Sequence, residues 1–402
     1  MTFLSKKKIV AGSLAAVLLV SGSWCARGVY DKFVHRGIYS KLLGIQSVLD
    51  DAFLYDYDEE KAADYAALGL SVSLDDPYTV YYNKQQFSDY MNAGSGDFVG
   101  IGVTVMFDKE NDEIKVISVM DNSPGFEAGI LPGDVITAVD GEKYTGTQMN
   151  DAVSKIRGLD LEGSVEGTSV NVTVRRSGEE KELTIVRKRI HQDTVKSEML
   201  SNNTGYIRIS SFNRGDGKDE LSTSDEFMNA LDELTGKGME KLIIDVRDNG
   251  GGDVDVVSKI VDRLVPEGLI MYTIDKKGRR DEIKSDSREL SMPMAILVNG
   301  NSASASELMT GALRDHKKAT VIGTKTFGKG VMQRVYPFSD GSGMSVTVAR
   351  YYTPNGICVQ DEGITPDIIS ELPEDIKDTP VSSLDKNKDV QLQKAIEVLS
   401  EQ

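Results

Sequence analysis

A chain of 402 residues with 40% hydrophobic and 27% charged residues has material for two or three domains with proper cores, and wholesale disorder is excluded. The net charge of −17 excludes a nucleic-acid binder held by phosphate contacts. Two cysteines, Cys25 and Cys358, cannot build a disulfide framework, and three histidines, His35, His191 and His316, leave few candidates for a histidine triad or a zinc site. At the N-terminus, Lys6-Lys7-Lys8 precede an apolar run from Ile9 to Ala26, 18 residues with small side chains near its end. Residues 1–26 therefore read as an export signal, either cleaved or kept as a membrane anchor, with the lysines left inside. The expected location is extracytoplasmic.

Residues 27–93 are expected to be mainly helical, with Leu42, Leu43, Ile45, Val48, Leu49, Ala52 and Phe53 on a mixed apolar face suited to packing or pairing with a second copy. Leu74-Asp-Asp-Pro-Tyr78 breaks that pattern, because Pro77 disfavours a helical Asp76. No catalytic arrangement is evident there. From residue 94 to 188 the pattern turns to strands: Phe98–Val105 interrupted by glycines, Ile114–Val119, Val170–Arg175 and Leu183–Arg187, with a helix expected from Thr147 to Ile156. This stretch resembles a PDZ domain of the kind found in exported proteases. In that resemblance Gly100, Ile101 and Gly102 form the loop whose backbone amides hold a peptide's C-terminal carboxylate, and the adjoining strand edge accepts an extended peptide. A dinucleotide reading of Gly-x-Gly fails, since Val105 stands where the third glycine belongs.

From Gly205 the alternation is α/β. Strands are expected at Tyr206–Ser210, Lys241–Val246, Met294–Val298, Ala319–Ile322, Val331–Val335 and Met344–Val348, with helices at Asp225–Leu234, after the turn Asn249-Gly-Gly-Gly252, and after Ser304. Three glycines opening a helix expose backbone amides at its positive end. The segment Glu371–Lys388 is acidic, contains proline and reads as loose, and Asp389–Leu399 as a short amphipathic helix.

The chemistry gathers between Asn299 and Gln333. A strand delivers the chain to Ser302-Ala-Ser-Ala-Ser306 and a helix follows, the kind of sharp turn that exposes a nucleophilic hydroxyl. Such a hydroxyl needs a base. His316 lies about three turns along the helix and points away, whereas Lys329, between two glycines and before Val331 and Met332, sits in a setting that can bury a neutral amine. Gly323-Thr-Lys-Thr-Phe-Gly-Lys329 is also a near-match to a phosphate-binding loop, but Gly330 occupies the place of the metal-binding Ser or Thr. Residues alone leave Ser302, Ser304 and Ser306 open.

Together the segments Leu74–Tyr78, Asp245–Gly252, Ser302–Glu307, Thr326–Gly330 and Tyr352–Gly356 resemble the C-terminal processing peptidases of serine peptidase family S41. The resemblance implies a multidomain α/β chain: an N-terminal helical region at 27–93, a β-rich PDZ domain with two helices at 94–188, a protease core similar to the ClpP/crotonase fold at 189–370, and an acidic linker and helix at 371–402. It further implies Ser304 as nucleophile, Lys329 as general base, Gln333 as the lysine's support, and an oxyanion hole from the amides of Ala305 and Gly251, with Gly250 the alternative. Thr324-Lys325 departs from the acidic residue common before the lysine motif. No metal or cofactor is implied. Partners would be protein substrates with free, apolar C-termini, the membrane through the N-terminal segment, and a second copy through the N-terminal helices. The competing reading is a non-catalytic, membrane-anchored PDZ adaptor.

Overall fold

The computed structural model describes residues 37–95, 97–108, 110–120, 123–158, 165–191, 193–215, 221–376 and 379–401. The export segment expected at 1–26 lies outside them. Among the described residues no helix is long and apolar enough to cross a membrane. The chain divides into two units, 1–75 and 76–402.

Within the first unit, helices span Gly37–Ala52 and Glu59–Val72. Asp58 caps the second by accepting from the Lys61 N–H, and Glu59 and Glu60 complement its positive end. The first helix buries none of its residues, and Ile38, Leu42, Leu43, Ile45 and Val48 are all exposed.

The second unit opens with a feature that differs from the helical expectation: Val80–Tyr82 is a strand, followed by the helix Lys84–Ser95. Three residues are too few to carry a periodic signal, and it is the partner strand that makes this one. Next comes an antiparallel sheet in the order Val103–Asp108, Glu113–Val119, Val135–Val139, Ser169–Arg176, Glu179–Val186. Its apolar face (Ile114, Val116, Ile136, Val139, Val172, Val174) packs on Ala152 and Ile156 of the helix Met149–Arg157. Gly158, at φ +74°, ends that helix in the left-handed conformation that glycine adopts without strain. Val103–Asp108 and Glu179–Val186 are the two edge strands of this sheet among the described residues.

The core is a six-stranded sheet in the order Val195–Met199, Thr204–Ile209, Lys241–Asp245, Met294–Val298, Ala319–Gly323, Ile368–Ile369, antiparallel only at its first pair. Both faces are covered, which is why the central strands read as continuous apolar runs. Helices Thr223–Gly236, Val254–Leu264 and Ala305–Asp315 bury Phe227, Leu231, Ile260 and Met309 on one face. Leu392, Ala395 and Leu399 of the helix Val390–Ser400 pack on Tyr206, Ile243, Ala295 and Leu297 on the other. A second sheet is organised around Gly343–Tyr352, which pairs with Val80–Tyr82, Val331–Pro337 and Gly268–Asp275, the last in turn with Arg280–Ser285.

The C-terminal segment is less loose than its composition suggests. The Val381 N–H donates to Asp248 (3.2 Å), and Asp389 accepts two bonds from the fully buried Arg247 guanidinium, at 2.7 and 2.9 Å. Arg247 also grips Asp245 through two nitrogens, and Tyr206 donates its hydroxyl to the same carboxylate. Burial pushes Asp245 up, but Arg247, and behind it Arg208 and the Tyr206 hydroxyl, outweigh that and hold it below the ordinary carboxylate value. A depressed carboxylate stabilises the fold above its unfolded pKa, and the contribution is lost as pH falls through the lower folded value.

Candidate active site

Three adjacent parallel strands bring the motifs together. Lys241–Asp245, Met294–Val298 and Ala319–Gly323 run the same way, so the loops leaving their carboxyl ends open side by side. The first loop carries the glycine turn, the second the serine turn, the third Lys329.

The geometry separates the three serines. Ser302 is fully buried and donates to the Val246 carbonyl (2.8 Å); Ser306 is fully buried and donates to the Asn249 carbonyl (2.8 Å). Both hydroxyls tie the serine turn to the glycine turn. Ser304 alone stays half-exposed, at φ +56° and ψ −113°, a conformation uncommon for a residue with a side chain. Such strain persists only where the surroundings hold it. Those surroundings are visible: the Ser304 carbonyl accepts from the Tyr351 hydroxyl (3.0 Å), and its N–H donates to Glu307 Oε2 (3.0 Å).

Glu307 organises the site, and sequence reasoning passed over it. It is fully buried and accepts four bonds: from the Ser304 N–H and the Lys329 N–H (2.8 Å) on Oε2, and from the Thr326 hydroxyl (2.6 Å) and the Gly328 N–H (2.8 Å) on Oε1. One oxygen atom thus bridges the backbones of the serine and the lysine. The loop that resembles a phosphate cradle has its amides on a protein carboxylate instead. A signal existed: Ser304-Ala-Ser-Glu307 has the Ser-x-x-Glu spacing of a capping box before an apolar run.

Lys329 is half-buried. Desolvation lowers its pKa below the ordinary lysine value, outweighing the pull of Asp76 and Glu307 toward the ammonium. Its Nζ lies 4.7 Å from the centroid of the Tyr78 ring. No hydrogen bond joins this amine to Ser304 or to Gln333; contacts of this kind are often loose without substrate. Gln333 sits at a register shift in its strand and donates to the Thr347 hydroxyl (3.4 Å). His316 is occupied elsewhere, its Nε2 2.8 Å from the Leu269 carbonyl oxygen.

The glycine turn lies against Ser304. A Cβ on Gly251 would meet the Ala303 carbonyl oxygen at 2.8 Å, Ser304 Cβ at 2.8 Å and Ala305 N at 3.0 Å, and its φ is +107°. The Gly251 N–H donates to Asn249 Oδ1 (2.8 Å). The N–H groups of Ala305, first in its helix, and of exposed Gly250 have no acceptor among the described residues. Gly251→Ala is expected to lower kcat/KM by about two to three orders of magnitude while the fold persists, because the added methyl displaces both Ser304 and the neighbouring amides. Kinetics alongside a melting curve check this; unchanged kinetics would contradict the packing.

In the PDZ-like region, the carbonyls of Ile101 and Gly102 accept from the Gly125 N–H (2.7 Å) and the Met120 N–H (2.9 Å). Ile101 is buried, Gly100 pairs with Lys188, and Gly102 takes φ +73° with no room for a Cβ beside Ser123.

Residues 203–370 match peptidase family S41, and residues 99–186 match the PDZ domain. The chain belongs to peptidase family S41. It is 38% identical over 283 residues to a probable CtpA-like serine protease of Staphylococcus aureus (strain bovine RF122 / ET3-1), spanning 69% of this chain and 54% of the relative. A relative of the same description from Staphylococcus epidermidis (strain ATCC 35984 / DSM 28319 / BCRC 17069 / CCUG 31568 / BM 3577 / RP62A) is 36% identical over the same coverage. The chain thus spans about half the length of these curated relatives. The solved structure of a photosystem II D1 C-terminal processing protease is similar with a TM-score of 0.51 and 28% identity, covering 85% of this chain and 89% of that one.

Proposed function

We propose that this S41 member is a serine endopeptidase in which Ser304 is the nucleophile and Lys329 the general base. The observation that carries the reading is the shared Glu307 carboxylate, which fixes the serine turn and the lysine loop to each other while leaving only Ser304 of the three serines open. Ser304 Oγ attacks the scissile carbonyl as neutral Lys329 takes its proton. The oxyanion rests on the Ala305 N–H and on an amide of the glycine turn, for which Gly250 is available and Gly251 is held by Asn249. Lys329 returns the proton to the leaving amine as the C–N bond breaks, and water then releases the acyl group from Ser304. Gln333 supports the lysine.

We further read the core as ClpP/crotonase-like, residues 27–93 as the helical region that pairs with a second copy through its exposed apolar face, and residues 1–26 as the export or anchoring segment of an extracytoplasmic protein. Substrates are exported proteins whose free apolar C-termini add to the open edge Val103–Asp108 and place their carboxylate at Gly100–Gly102. The test uses an unfolded protein with an apolar tail, ending in a carboxylate or an amide, with Ser304→Ala as the blank. Amidation is expected to raise KM about tenfold with kcat little changed, the size of one lost charge-assisted contact. Equal kinetics would contradict recognition through the tail, and no cleavage of either would contradict the peptidase reading.

A further inference from the structure

We propose that the turn Asp76–Thr79 belongs to the active site as a positioning element: Tyr78 seats the Lys329 amine on its ring face, and Asp76 holds the turn that presents that ring. The inference rests on Lys329 as the base. It deepens that reading by assigning residues N-terminal to the PDZ domain a part in the chemistry.

The turn is built for the task. Asp76 accepts from the Tyr78 N–H (3.1 Å) and the Thr79 hydroxyl (2.6 Å), so its carboxylate folds the turn back on itself and presents the Tyr78 ring. Thr79, buried, accepts the Thr347 N–H (3.1 Å), and Val80–Tyr82 continues as a strand on Gly343–Tyr352. The Thr347 hydroxyl in turn accepts from Gln333 Nε2, on the strand that follows Lys329. Gln333 therefore reaches the lysine's surroundings through Thr347, Thr79 and Asp76. A cation over an aromatic face within about 6 Å is attracted to it, more strongly when partly desolvated. The charged and titratable groups near the amine are Asp76 and Tyr78 from this turn and Glu307 from the serine helix; Asp361 is a further charge acting on Tyr78. Burial alone pushes Asp76 up, but its bonds from Thr79, Thr347 and the Tyr78 N–H, with Lys329 nearby, hold it below the ordinary carboxylate value.

This arrangement balances the lysine between its two jobs. Desolvation keeps it able to lose its proton before attack, and the turn stabilises the ammonium that forms once Ser304 has given its proton up. Removing the turn's contribution should therefore move the lysine's titration downward and weaken it as a base.

The experiment reads Lys329 directly. The full chain is labelled with acetic anhydride at a series of pH values, and the fraction modified at Lys329 is measured by mass spectrometry, with circular dichroism confirming the fold. The midpoint is expected to fall by about one pH unit in Asp76→Asn and by a smaller amount in Tyr78→Leu, while Tyr78→Phe, which keeps the ring, stays at the wild-type value. The rising limb of kcat/KM should move with the midpoint. A role in folding alone would lower the rate at every pH and leave the midpoint in place. Unmoved midpoints in Asp76→Asn and Tyr78→Leu would overturn the proposal. The labelling does not depend on turnover, so undiminished cleavage by Ser304→Ala would sink the catalytic reading without touching this result.

Discussion

Ser304→Ala and Lys329→Ala are each expected to lower kcat/KM for an unfolded protein substrate by on the order of 10⁴-fold or more, with little change in melting temperature. Ser304 is half-exposed and its hydroxyl donates to no carbonyl of the glycine turn as those of Ser302 and Ser306 do, so removing its oxygen leaves the tie between the two turns in place. Replacing Lys329 removes a charge that burial already disfavours, and the backbone bond from its N–H to Glu307 survives the substitution. The two losses should not multiply in the double variant, because nucleophile and base act as one unit. In the wild type, activity requires the neutral amine, so the rate should climb with pH through the folded pKa of Lys329, which lies below the ordinary lysine value. A variant of either residue that cleaves at the wild-type rate would contradict the assignment.

Glu307→Gln is expected to damage fold and activity together. The carboxylate serves two donors on each oxygen. Glutamine offers one carbonyl oxygen and one NH2, so either orientation sets two donors against an NH2. The Thr326 hydroxyl can rotate and accept; the amides of Gly328, Ser304 and Lys329 cannot. At least one buried N–H is left without an acceptor, a loss of roughly 2–3 kcal/mol. For a domain of this size that corresponds to a fall in melting temperature of roughly 4–12 °C. Because Ser304 and Lys329 share Oε2, kcat should drop about 100-fold through misplacement of the nucleophile and its base. A melting curve and steady-state kinetics on the same preparation decide it. Wild-type values in both would show that Glu307 is not what joins the two loops.

Local pattern and tertiary contact explain what the sequence reveals of this protein. The serine and glycine turns are legible because each is a strand, a turn and a helix in immediate succession, with apolar runs on both sides. The central strands are legible for the same reason. Glu307 carries its own local signature, but a capping pattern says nothing of the loop some 20 residues on whose amides complete its shell. The Asp76–Thr79 turn is not legible at all as chemistry. Its approach to Lys329 depends on a three-residue strand pairing with Gly343–Tyr352, and no short-range pattern encodes a partner that distant. The segment Glu371–Lys388 looks loose because its composition is acidic, yet its Val381 N–H bonds to Asp248, and Asp389, which opens the expected helix beyond it, meets the buried Arg247 guanidinium. Charge that would solvate a tail here holds it in place.

The central claim is that Lys329 activates Ser304, and the rate at which a fluorophosphonate modifies Ser304 tests it most directly. Intact-protein mass spectrometry follows the reaction over a pH series that extends well below the ordinary lysine value, the direction in which burial moves Lys329. The account predicts a single adduct on Ser304, formed faster as pH rises in the wild type and scarcely formed at any pH in Lys329→Ala. An adduct that forms in Lys329→Ala at the wild-type rate, with the same dependence on pH, would contradict it.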